Sequence, residues 1–111
     1  MNGISTHILD LSDGNPAAGV NVTLDRAESA GWLRVGSATT DPDGRVRDAF
    51  SMPPAAGRYR LTFATGAYFA ARGIASFHPE VAVEFEVRTA GQPQHVPLLL
   101  SPFGYSTYRG S

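Results

Sequence analysis

Three histidines, His7, His78 and His95, are the side chains of this chain that can exchange a proton near neutral pH, because an unperturbed imidazole titrates at about 6.5. His7 lies in Ser5-Thr6-His7-Ile8-Leu9-Asp10, in phase with Ser5 and Leu9 and on the opposite face from Ile8, so it stands outside a simple apolar stripe. His95 opens the very apolar run Val96-Pro97-Leu98-Leu99-Leu100. Desolvation there lowers an imidazole's pKa and keeps it a neutral base. Each of the two is weighed against a plainer reading, a hydrogen-bonded structural histidine, while His78 precedes Pro79 and reads as a loop residue. Arg45 follows the Asp43-Gly44 turn, with Arg47 in phase two residues on. A guanidinium pointed into a cleft would clamp the oxygens of a small planar anion in fork geometry, and its plainer reading is a solvated strand charge. The chain ends in Tyr105-Ser106-Thr107-Tyr108-Arg109-Gly110-Ser111. Ends usually fray unless tied down, yet two tyrosines, hydroxyls and an arginine read as a binding wall.

Other chemistries lose their residues. With no cysteine there is no disulfide frame, thiolate nucleophile or Cys-ligated metal site. The histidines show no His-x-His or His-x-x-x-His spacing, so no metal site is expected. Asp41-Pro42-Asp43-Gly44 opens like a calcium loop, but the later ligands and closing glutamate do not follow, and it reads as a turn. Gly104-Tyr105-Ser106-Thr107-Tyr108 lacks the second glycine of a nucleophile elbow. Asn21-Val22-Thr23 matches a glycosylation acceptor only formally. Nine Lys and Arg against ten Asp and Glu leave a charge of -1, which provides no field to gather phosphates, so no nucleic-acid partner is expected. No run of about 18 apolar residues and no leader pattern occurs, so no membrane partner and a cytoplasmic location are expected.

The elements that must position these residues read as strands. The 111 residues fit one domain of ordinary size. Val20, Val22 and Leu24 alternate with polar residues, as do Tyr59, Leu61 and Phe63, and Val81, Val83, Phe85 and Val87 alternate with Ala82, Glu84, Glu86 and Arg88. Period two means strands with one dry face. A slip of one residue in the last of them would bury two glutamates, so its register is strongly specified. Further strands are expected at about Ile4 to Leu11, Trp32 to Thr39, Gln94 to Ser101 and Gly104 to Arg109, separated by dense Asp, Gly and Pro turns. Thr65 to Gly73 resists the pattern: it is alanine-rich and ends Arg72-Gly73, as a short helix with a cation in its last turn and glycine at C′ would. The expectation is an all-β, two-sheet sandwich with one short helix.

On these residues the chain resembles the 5-hydroxyisourate hydrolases, also called transthyretin-like proteins. The likeness rests on His7-Ile8-Leu9-Asp10 followed by Gly14-Asn15-Pro16-Ala17, on Thr40-Asp41-Pro42-Asp43-Gly44-Arg45, and on His95-Val96-Pro97-Leu98-Leu99-Leu100-Ser101-Pro102 with the closing Tyr105-Ser106-Thr107-Tyr108-Arg109-Gly110-Ser111. The terminal Tyr-Arg-Gly-Ser is its most specific part. Transthyretin, the hormone carrier of the same fold, lacks that ending and has lysine where His7 stands. The resemblance implies a transthyretin (prealbumin)-like sandwich, a homotetramer with active sites in clefts between subunits, and no cofactor. It implies hydrolytic ring opening of 5-hydroxyisourate, with catalytic roles for His7, His95 and Arg45 and substrate contacts from His7, Arg45, Tyr108, Arg109 and Ser111. Gln94 stands where many members have an aromatic residue, and His78 lies outside the catalytic pattern. The alternative implied by the same fold is a non-catalytic carrier of small aromatic ligands.

Overall fold

The computed structural model describes residues 3–111. Among the described residues nine strands and one helix follow in order: β1 Ile4–Asp10, β2 Asn15–Pro16, β3 Asn21–Glu28, β4 Gly31–Thr39, β5 Arg45–Val46, β6 Gly57–Phe63, α1 Thr65–Ala70, β7 Val81–Val87, β8 Gln94–Ser101 and β9 Gly104–Thr107. One sheet runs β2-β1-β8-β9 with β5 also paired to β1, and the other runs β4-β3-β6-β7.

Alternation explains which faces meet. Ile4, Ile8, Leu98 and Leu100 of the first sheet and Val22, Leu24, Leu61, Phe63, Val81 and Val87 of the second are buried between the layers. Each such side chain withdrawn from water contributes about 1.5–3 kcal/mol. The register of β7 is the one its glutamates require: Glu84 lies opposite Arg60 and Glu86 opposite Arg58, on the outer face, where opposite charges across a pair of strands attract.

The helix keeps its expected place but is shorter, Thr65–Ala70. Its end is a Schellman turn, in which Gly73 N–H donates to Ala70 O and Ile74 N–H to Phe69 O, with Gly73 at φ 69°; glycine therefore occupies C′ as the sequence indicates. Arg72 is not in the helical turn itself and instead lies 3.9 Å over the Tyr68 ring. Tyr68 donates to the buried carboxylate of Asp10 at 2.7 Å, which pins the helix to the end of β1.

Two details differ from the sequence expectation and two more lie outside it. The expected last strand, Gly104 to Arg109, stops at Thr107, and beyond it only Gly110 returns to bridge His95. Asn15-Pro16 and Arg45-Val46 read as turn and turn flank, yet both form short ladders on β1. The third detail is a bulge between Leu24 and Asp25, which leaves Val35 unpaired on β4. Finally, β1 and β8 pair in parallel over seven residues, from Ile4 with Gln94 to Asp10 with Leu100.

Candidate active site

Strand pairing assembles the site on the outer face of the first sheet. In β1 the inward positions are Ile4, Thr6, Ile8 and Asp10, so Ser5 and His7 project outward. In β8 Val96, Leu98 and Leu100 point in, which turns His95 out. Parallel register sets Ser5 beside His95, and the antiparallel pairing on the other side of β1 sets His7 beside Arg45. Residues 90 positions apart thus become neighbours, with both histidines and the guanidinium on three adjacent strands.

Arg45 is delivered by its turn. The Asp41 carboxylate accepts from the backbone N–H of Asp43 and of Arg45, both at 2.9 Å, and Gly44 N–H closes the turn onto Asp41 O at 2.8 Å. Gly44 has φ 73°, and a Cβ there would lie 2.5 Å from Ile8 O. Only glycine lets this loop press against β1. Arg47 is used otherwise: its guanidinium reaches Asp41 at 3.5 Å and Asp43 at 3.2 Å. Of the two arginines in phase, Arg45 enters the cleft and Arg47 is the solvated strand charge.

That cleft has a volume of about 380 Å³ and is lined by Ser5, Arg45, Pro93, Gln94, His95, Gly110 and Ser111. His7 is not among the lining residues; it pairs with Arg45 across β1 and β5. Ser5 Oγ lies 2.9 Å from His95 Nδ1. The tail closes the other side of the ring, where Gly110 N–H donates to His95 O at 2.8 Å. A Cβ on Gly110 would stand 2.5 Å from His95 Cδ2 and 3.1 Å from Pro97 Cγ. The imidazole is therefore held between a hydroxyl and a backbone that approaches too closely for any side chain.

Both histidines titrate below the ordinary imidazole value. Burial is the first cause for His95, followed by the charge of Arg45 and then that of His7. For His7 burial again leads, Arg45 adds to it, and a hydrogen bond with the Asp43 backbone opposes them. The arrangement offers two neutral imidazoles beside a fixed cation, which is what proton transfer and oxyanion stabilisation need together. Among the described residues no three His, Cys, Asp or Glu side chains gather closely enough to hold a metal ion.

The remaining expected residues divide. Ser111 lines the cleft with His95 and Arg45. Tyr108 and Arg109 do not: within one chain they line a separate cleft of about 620 Å³ running between β7 and β8, which touches the site only at Gln94 and His95. They leave the ladder after Thr107, and Tyr108 is 58% exposed. His78 packs edge-on against Phe77 and Tyr105, at centroid distances of 5.0 and 5.2 Å, and lines neither cleft. Gln94, next to His95 in the chain, is buried. Sequence reasoning missed Ser5 as a partner of His95. Its signal was its phase with His7, which acquires meaning only once β1 and β8 are known to pair.

Comparison with known proteins follows the same lines. The model of the HIUase/Transthyretin family matches residues 4–110. A 5-hydroxyisourate hydrolase of Salmonella dublin is 46% identical over 111 residues, spanning 99% of this chain and 82% of the relative. The solved structure of Klebsiella pneumoniae 5-hydroxyisourate hydrolase superposes with a TM-score of 0.88 at 41% identity, covering all of both chains. Transthyretin from Sparus aurata superposes with a TM-score of 0.91 at 31% identity, covering 99% of this chain and 97% of the other. Backbone similarity alone thus does not separate a hydrolase from transthyretin.

Proposed function

The chain belongs to the HIUase/Transthyretin family, and from that footing we propose that it hydrolyses 5-hydroxyisourate, opening the six-membered ring to give 2-oxo-4-hydroxy-4-carboxy-5-ureidoimidazoline. The observation that carries this reading is the meeting of His7, Arg45 and His95 on one sheet face. Water attacks a ring carbonyl carbon, charge gathers on the carbonyl oxygen, and the ring carbon–nitrogen bond breaks. One neutral imidazole of the pair takes a proton from water, and the other supplies a proton to the departing nitrogen. General acid–base assistance of this kind is worth about 10²- to 10⁴-fold. Arg45 faces the developing oxyanion, where a fixed cation in a partly desolvated cleft acts without reorganising. Neither imidazole forms a bond to the substrate in this scheme.

The reading extends to the assembly. As a single domain, the chain works as a cytoplasmic homotetramer in urate breakdown. Tyr108 and Arg109 contribute to substrate binding where subunits enclose the site, and Ser111 contributes beside His95. Generating 5-hydroxyisourate from urate with urate oxidase, and following its decay with and without the protein, tests the activity. Faster decay in proportion to protein concentration is expected, and an unchanged rate refutes it. The similarity to Sparus aurata transthyretin keeps a second reading in play, a carrier of small aromatic ligands. Stoichiometric binding of urate-like compounds without turnover would favour it.

A further inference from the structure

The two histidines of the site are not equivalent in their hydrogen bonds, and the difference originates at Ser5. Ser5 is buried, 4% exposed, and its side chain makes one hydrogen bond among the described residues, to His95 Nδ1 at 2.9 Å. A hydroxyl can donate or accept, so two arrangements fit that distance. If Nδ1 carried the proton, Ser5 would accept it, and its own O–H would be left without an acceptor among the described residues. If Nδ1 is bare, Ser5 donates and both groups are satisfied. Buried donors are rarely left unmade, so the second arrangement prevails, and a neutral His95 then carries its proton on Nε2. Burial and the neighbouring Arg45 push the His95 pKa down, which favours the neutral ring over the doubly protonated one. Burial and Arg45 likewise lower the pKa of His7, so its neutral ring also has a bare nitrogen to offer.

Resting on the hydrolytic reading above, we propose that Ser5 is a positioning residue: by donating to Nδ1 it keeps the His95 proton on Nε2, so that His95 acts as the N–H donor to the departing nitrogen and His7 takes the proton from water. The balance is complete. Water loses a proton to His7 as its oxygen bonds to the carbonyl carbon. The ring nitrogen leaves with the electron pair of the broken bond and accepts the Nε2 proton of His95, and proton exchange through solvent restores both rings.

Two measurements test the assignment. A long-range ¹H–¹⁵N spectrum of the wild-type protein at neutral pH distinguishes the two neutral tautomers of His95, and the Nε2–H form is expected; the Nδ1–H form overturns the proposal. The second compares Ser5→Ala and Ser5→Thr in the 5-hydroxyisourate assay. Ser5→Ala frees the tautomer without inverting it, so kcat should fall about 10- to 100-fold with KM little changed, short of the roughly 10⁴-fold loss that follows from fixing a catalytic histidine in the wrong tautomer. Ser5→Thr, which keeps the hydroxyl, should restore most of the rate and the Nε2–H signature. Unchanged kcat in Ser5→Ala, or failure of the threonine to restore it, overturns the positioning role. A wild-type protein with no hydrolytic activity would instead strike the functional reading, and the spectrum would still decide the tautomer.

Discussion

Gly110→Ala is a one-carbon change at an exposed chain end, where substitutions are ordinarily near neutral, yet here it should disable the site. The added Cβ would lie 2.5 Å from His95 Cδ2, against 3.4 Å where ordinary contact begins, so about 0.9 Å of movement is required. The tail cannot easily give, because Gly110 N–H is bonded to His95 O at 2.8 Å and Pro97 Cγ blocks the new carbon at 3.1 Å. If the ring gives, it moves off Ser5 and loses the 2.9 Å bond that orients it. Misplacing a reacting group by about 1 Å costs on the order of 10²-fold in rate, and a loss of that size in kcat is expected. Gly104→Ala is the matched control: it lies in the same hairpin and its Cβ would meet nothing within 4 Å, so activity should stay close to wild type. The assay is decay of 5-hydroxyisourate produced in situ, with circular dichroism to confirm equal folding. Equal activity in Gly110→Ala and Gly104→Ala would refute the claim that the tail sets the position of His95.

Further expectations concern the titrating groups and the helix anchor. His95→Asn and His7→Asn should each lower kcat by at least about 10²-fold, and the double variant should fall far short of the product of the two, because groups that act as a unit are not additive; full additivity measured in the same assay would separate them. With both imidazoles depressed below 6.5, the acid limb of kcat/KM should be centred below that value, so an acid limb centred above 6.5 contradicts the burial argument. The stability sign follows: below 6.5 the unfolded chain binds more protons than the folded one, so these two groups withdraw stability as pH falls and none above that value, which thermal melts at pH 7.5 and 5.5 would show. Tyr68→Phe removes the donor 2.7 Å from buried Asp10 and should cost about 1.5–3 kcal/mol. Tyr68 itself is pushed up to about 12 by burial and then by Asp10, so its hydroxyl stays a donor across this range. A melting temperature unchanged in Tyr68→Phe would remove the anchor role.

Local patterns were legible where one residue's neighbours in sequence decide its fate. The alternation in Val81 to Val87 fixed both the strand and its outward glutamates, and Gly73 marked the end of the helix. Long-range pairing left no such trace. Nothing in Ser5 or His95 signals a parallel ladder between strands 90 residues apart, and without it the two histidines are merely present. Arg45 was named but its separation from Arg47 was not, since that depends on Asp41 and Asp43 lying within reach of one guanidinium only after the turn has formed. Tyr108 and Arg109 read as members of one wall with Ser111, whereas the chain leaves the ladder at Thr107 and returns at Gly110, turning the two outward. The bulge at Leu24 and Asp25 was equally silent, because one unpaired residue does not disturb the hydrophobic alternation of β3 itself.

The direct trial of the central claim, that two neutral histidines and Arg45 turn over substrate rather than hold it, is a progress curve with 5-hydroxyisourate in large molar excess over protein. Catalysis predicts that the whole pool disappears at a rate set by protein concentration, with the protein recovered unchanged. Loss of one equivalent per site, followed by the uncatalysed decay rate, would contradict the account and leave a carrier in its place.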